Sequence, residues 1–107
     1  SGADGGSHAD LGIAYKEMGL HDAAIKEFRL LAQDGKREVF ALTMMGECYE
    51  LKGQLADAVI QYKKALNRPS ATDVESTLLY YLLGKVFEQL GDRKEALYFF
   101  EKVARRD

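Results

Sequence analysis

Apolar residues return along this chain at helical spacing. Leu11, Ala14, Tyr15 and Met18 stand at i, i+3, i+4 and i+7, which gathers them on one face of a helix. Leu83, Val86, Phe87 and Leu90 repeat the spacing. Met45, Cys48 and Tyr49 match its first three places, while Lys52 takes the last and the neighbouring Leu51 is apolar instead. Each of these segments runs into a glycine, Gly19, Gly53 or Gly91, the residue best suited to a left-handed conformation after a helix C-terminus, so a turn is predicted there. Beyond each turn lies a second stripe: Ala24, Ile25, Phe28, Leu31 and Ala32, then Ala58, Val59, Tyr62, Ala65 and Leu66, then Ala96, Leu97, Phe100, Val103 and Ala104. All three sets follow i, i+1, i+4, i+7 and i+8, the pattern of an amphipathic helix of about three turns. Six helices in three hairpins, with no strand, are expected.

The hairpins are copies of one phrase, LGIAYKEMGLHDAAIKEF from Leu11, MGECYELKGQLADAVIQY from Met45 and LGKVFEQLGDRKEALYFF from Leu83. Gly12, Gly46 and Gly84 recur at one phase inside the first helices. A glycine in mid-helix costs about 1 kcal/mol relative to alanine, so three at one phase point to a shared need for close packing, with Ala24, Ala58 and Ala96 as small partners on the second helices. Gly12 and Gly46 are 34 residues apart but Gly46 and Gly84 are 38 apart. Thr72-Asp73-Val74-Glu75 reads as a capping box that starts the fifth helix one turn early and takes up the four extra residues. Residues 1–7, SGADGGS, read as a linker, and 8–107 as one domain with repeats at about 8–38, 39–72 and 73–107.

These positions resemble the tetratricopeptide repeat, a helix-turn-helix unit of about 34 residues. The Leu-Gly pair of that repeat is matched by Leu11-Gly12, Met45-Gly46 and Leu83-Gly84, and its first-helix aromatic by Tyr15, Tyr49 and Phe87. Its second-helix alanine and aromatic are matched by Ala24 and Phe28, Ala58 and Tyr62, and Ala96 and Phe100. The tryptophan often found early in the repeat is replaced by His8, Leu42 and Tyr80, and its closing proline survives only as Pro69, one place early. The resemblance implies an all-α fold, a right-handed α-solenoid of three repeats. The phrase HADLGIAYKEMGL also resembles modules embedded in larger bacterial proteins connected with surface motility, pili or cell polarity.

Charge and composition exclude several functions. A formal charge of −2, with 30% charged residues of mixed sign, does not draw nucleic acid by bulk electrostatics. The single cysteine, Cys48, rules out an internal disulfide framework and suits a reducing, cytoplasmic compartment. The longest strictly apolar run, Leu78 to Leu83, is too short to span a bilayer, and no signal-peptide pattern opens the chain, so no membrane insertion is expected. Enzyme and cofactor motifs are missing. Gly35-Lys36 lacks the rest of a phosphate-binding loop, His8 and His21 stand thirteen apart with no i, i+4 mate, and Cys48 reads as a small hydrophobe in the buried place also held by Ala14 and Val86. Neither catalysis, a metal nor a cofactor is expected.

What remains is protein binding. The resemblance implies a concave groove lined by first helices, supplied by Gly6, Ala9, Asp10, Ile13, Lys16 and Glu17, by Phe40, Thr43, Met44, Glu47, Glu50 and Leu51, and by Leu78, Tyr81, Leu82, Lys85, Glu88 and Gln89. Such a groove has an apolar floor and a mixed, mostly acidic rim. Family members that hold a chaperone's C-terminal carboxylate use Lys, Asn and Arg at five groove positions. Here those are Ala9, Ile13, Met44, Leu78 and Leu82, which suit an apolar or amphipathic helix of a protein or peptide partner instead. The run LLYYLL wraps its helix almost completely in apolar side chains, as groove surface or as a face covered by another segment of a longer protein. The last helix offers a rival surface. Its Tyr98 and Phe99 fall outside the repeat's core positions and are candidates for self-association, as a homodimer or polymer.

Overall fold

A computed structural model describes residues 5–105. The elements run α1 (Gly5–Glu17), α2 (His21–Gln33), α3 (Glu38–Leu51), α4 (Leu55–Leu66), α5 (Asp73–Gln89) and α6 (Arg93–Arg105), with no strand among the described residues. Each helix packs against the next in chain order, and α3 also touches α5, so the hairpins stack as an α-solenoid of three helix-turn-helix repeats. Of the expected linker, residues 1–4 lie outside the described residues, while Gly5 to Ser7 form the first turn of α1.

The turn inside each repeat is built the same way three times. Gly19, Gly53 and Gly91 have φ of 79°, 78° and 80°, and the residue after each donates its N–H back to the carbonyl of the first-helix aromatic. Those bonds, Leu20 to Tyr15, Gln54 to Tyr49 and Asp92 to Phe87, measure 2.8, 2.9 and 2.9 Å. They satisfy carbonyls that the helix end would leave bare, which is why the turn accepts glycine so readily.

Close approach explains the other glycines. A Cβ at Gly12 would lie 2.6 Å from the Phe28 ring and one at Gly84 2.5 Å from Phe100, with Gly46 closer still to Tyr62. The small residue therefore admits the second-helix aromatic of its own repeat, and Phe28 and Tyr62 are completely buried. That ring, rather than the second-helix alanine, is the neighbour that requires the glycine.

Two sequence expectations change here. The capping box exists: Glu75 donates its N–H to Thr72 Oγ1 at 3.1 Å, and Thr72 donates its N–H to Glu75 Oε1 at 2.9 Å. The helix, however, takes only three of the four extra residues, since α5 starts eleven residues before Gly84 and α3 eight before Gly46. The remainder enters the 67–72 connection, which Arg68 braces with a 3.2 Å bond to Glu38. Ala14 is exposed although Cys48 and Val86, its equivalents, are buried. Those two face the second helix of a preceding repeat, and no such helix lies over α1 among the described residues.

Candidate functional site

The outward face of the first helices carries most of the residues expected to line a groove. On α5, Leu78, Tyr81, Lys85 and Glu88 stand at i, i+3, i+7 and i+10, which places them on one side of the helix. Leu78 is 48% exposed and Tyr81 46%, large fractions for apolar side chains. The Tyr81 ring is nevertheless held in place, with Phe100 at 6.3 Å between centroids and the Lys85 ammonium 5.4 Å above it. On α3, Phe40, Met44 and Glu47 are half-buried and Leu51 is exposed. Phe40 meets Phe28 edge-on at 6.1 Å and lies under the Arg37 guanidinium at 4.1 Å. From α1 come half-buried Ile13 and Lys16 and exposed Asp10 and Glu17, with Gly6 in its first turn; Gln89 is exposed at the end of α5.

Three expected lining residues are withdrawn from this surface. Ala9 and Leu82 belong to the core, and Thr43 is buried with its hydroxyl bonded to the Val39 carbonyl at 2.7 Å. Leu82, only 7% exposed, sits one residue beyond Tyr81 and is turned about 100° from it, toward the interior. The acidic rim is also reduced. Glu47 pairs with Lys16 across α1 and α3 at 3.4 Å, and Glu50 accepts the Tyr62 hydroxyl, leaving Glu88 as the exposed carboxylate of the three. Tyr62 stands where the other repeats have phenylalanine, and a buried phenol needs an acceptor. That substitution was the signal for the bond to Glu50, and sequence reading passed over it.

Phe99 was expected on a self-association surface and is instead 6% exposed. It stacks on Phe87 at 5.8 Å and Tyr80 at 6.3 Å, filling the place where Glu27 in the first repeat bonds His8 Nδ1 at 2.8 Å. The signal lay in the pair, since His8 and Glu27 hold the positions equivalent to Tyr80 and Phe99. Tyr98 remains half exposed, edge-on to Phe99 at 5.0 Å, with the Lys102 ammonium 5.0 Å above its ring. It borders an open depression of about 560 Å³ shared with Lys63, Tyr80 and Phe99.

Titrating groups are placed for structure. Burial pushes the Cys48 thiol up to about 11, which keeps it protonated and unreactive near neutral pH. Burial, aided by the bond to Glu50, likewise raises the Tyr62 phenol well above its ordinary range. At the edge of the α2–α3 contact the Lys52–Asp22 bond lowers the carboxyl and raises the ammonium. Among the described residues no group of three or more His, Cys, Asp and Glu side chains is placed to hold a metal ion. Among the described residues no helix is long and apolar enough to cross a membrane.

Comparison with known families agrees with this architecture, a tetratricopeptide repeat model matching residues 6–33, 41–71 and 78–107. The chain belongs to the tetratricopeptide repeat family. Tetratricopeptide repeats mediate protein–protein interactions, and the three matched segments each contain one helical hairpin of this fold. A search of curated proteins finds no match to the chain.

Proposed function

We propose that this tetratricopeptide repeat domain is a non-catalytic adaptor that binds an apolar or amphipathic helical segment of a partner protein along the concave face of its first helices. The observation that carries this reading is the pair Leu78 and Tyr81, each nearly half exposed on one side of α5. Phe100 and Lys85 already hold the tyrosine, so little rotamer entropy is lost when a partner covers it. Phe40 and Met44 continue the apolar strip on α3, the methionine supplying a side chain that adapts to the shape of its ligand. A domain of this kind can serve inside a larger cytoplasmic protein, and the resemblance to bacterial motility, pilus and polarity modules suggests one such setting.

Apolar contact should set the affinity. Covering the exposed halves of Tyr81 and Leu78 together contributes about 1.5–3 kcal/mol, whereas an exposed charge contributes at most about 1 kcal/mol and less in salt. With Glu47 and Glu50 engaged inside the chain, Glu88 offers a partner's basic residue little more than steering. Tyr81→Ala and Leu78→Glu are expected to weaken partner binding tenfold or more, about 1.4 kcal/mol or above, and Glu88→Gln to leave it within twofold at physiological salt. Isothermal titration with a partner captured from the native cell measures this. Parent-like affinity in both Tyr81→Ala and Leu78→Glu, each still folded by circular dichroism, removes the groove from consideration.

A further inference from the structure

Comparing the three repeats with one another identifies what covers each face of a second helix. α2 and α4 each pack against the following helix, α3 or α5, and their stripe residues Ile25, Phe28 and Tyr62 are buried and Val59 half-buried, Phe28 meeting Phe40 of α3. Ile25 is 4% exposed there. The equivalent stripe on α6 has no such cover among the described residues. Leu97 is 60% exposed, Phe100 is only half-buried, and Ala104 is exposed. Ala96, Leu97 and Phe100 line an open depression of about 540 Å³, rimmed by Glu88 and Arg93.

The opposite flank has the matching deficit. Ala41, Met45 and Cys48 of α3, and Leu79, Leu83 and Val86 of α5, form the face that seats on the preceding second helix, and all six are buried. Their equivalents on α1 are Ser7, Leu11 and Ala14, of which Leu11 is 41% exposed and Ala14 open. Sizes correspond as well as positions. The α2–α3 contact sets large residues, Ile25 and Phe28, against a face containing Ala41 and Cys48, and the two flanks offer Leu97 and Phe100 against Ser7 and Ala14. From this internal register we infer that copies of the chain associate head to tail, α1 of one copy seating on α6 of the next in the way α3 seats on α2.

The contact is heterologous, joining two different surfaces, so it propagates the solenoid and does not close into a two-fold dimer. It is also apolar in character. The Lys52–Asp22 pair at the edge of the α2–α3 contact has no counterpart, because Met18 and Lys94 occupy those places. Association should therefore change little with ionic strength. The α6 flank adjoins the Leu78 and Tyr81 face, since Phe100 packs on the Tyr81 ring and Glu88 rims the depression, so Leu97, Leu11 and Ala14, none of them proposed to line the groove, test this inference separately from it.

Two single substitutions and their mixture test it by analytical ultracentrifugation. The parent should gain mass with concentration, reaching species larger than a dimer. Leu97→Glu on α6 and Ala14→Glu on α1 change exposed side chains, and each variant alone should remain monomeric. An equimolar mixture should give a one-to-one dimer and nothing larger, because only the intact α1 of the Leu97→Glu copy and the intact α6 of the Ala14→Glu copy can meet. Circular dichroism confirms that both variants fold, and Leu11→Glu replaces Ala14→Glu if needed. A parent that stays monomeric throughout, an Ala14→Glu variant that still dimerises through α6 alone, or a mixture that stays monomeric would overturn the inference.

Discussion

Tyr62 joins burial, a hydrogen bond and titration in one side chain. Its ring fills the space over Gly46 and its hydroxyl donates to Glu50, so the folded state favours the neutral phenol and its pKa is raised. Stability from this source is complete below the unfolded value near 10 and is lost as pH rises beyond it, where only the unfolded chain releases the proton. Tyr62→Phe should cost about 1 kcal/mol at pH 7 and flatten the decline above pH 10, as urea titrations at both pH values would register. The glycines beneath the rings should separate in the same way. Gly46→Ala forces a methyl against a ring fixed at both ends, an overpacking cost of about 1–3 kcal/mol that exceeds the helix-propensity gain of about 1 kcal/mol. At Gly84 the facing ring is Phe100, half-buried where Tyr62 is fully buried, so Gly84→Ala should cost less than Gly46→Ala. Equal losses at the two positions would mean that the flank is as rigid as the centre.

Among the elements, α5 departs furthest from the repeat. Its added length projects Val74 into solvent, and its first turn is held by the reciprocal bonds between Thr72 and Glu75. Thr72→Ala removes one of them and should cost about 1 kcal/mol, with faster amide exchange confined to 73–77 rather than spread over the helix. The capping box and the amphipathic stripes were legible because capping and periodicity are local properties of consecutive residues. The division of the four extra residues between helix and connection was not, since it depends on how Arg68 and Glu38 brace that connection from elements far apart in sequence.

Across the whole molecule, protection should follow the number of covered faces. The middle hairpin has neighbours on both sides, and cooperativity in stacked repeats passes only between neighbours. Hydrogen exchange should therefore be slowest in α3 and α4 and fastest in α1 and α6 at low protein concentration. Equal protection in all six helices would argue for a single global unfolding unit.

Periodicity and the glycine phase determined the six helices and their pairing, because each is written within one repeat and read three times, and the threonine cap marked the start of α5, because a cap is local to consecutive residues. Side-chain exposure is not written that way. Ala14 and Cys48 hold the same repeat position, yet one is open and the other buried, according to whether a preceding second helix lies against them. Glu50 looked like rim charge until Tyr62 took it as an acceptor. Phe99 looked like surplus surface until Tyr80 and Phe87 covered it, and Leu82 proved to face inward while its neighbour Tyr81 faced out. Which of the lining candidates remain open to a partner was thus decided by tertiary packing. Burial depends on what stands across the gap, and a neighbour in space carries no fixed offset in sequence.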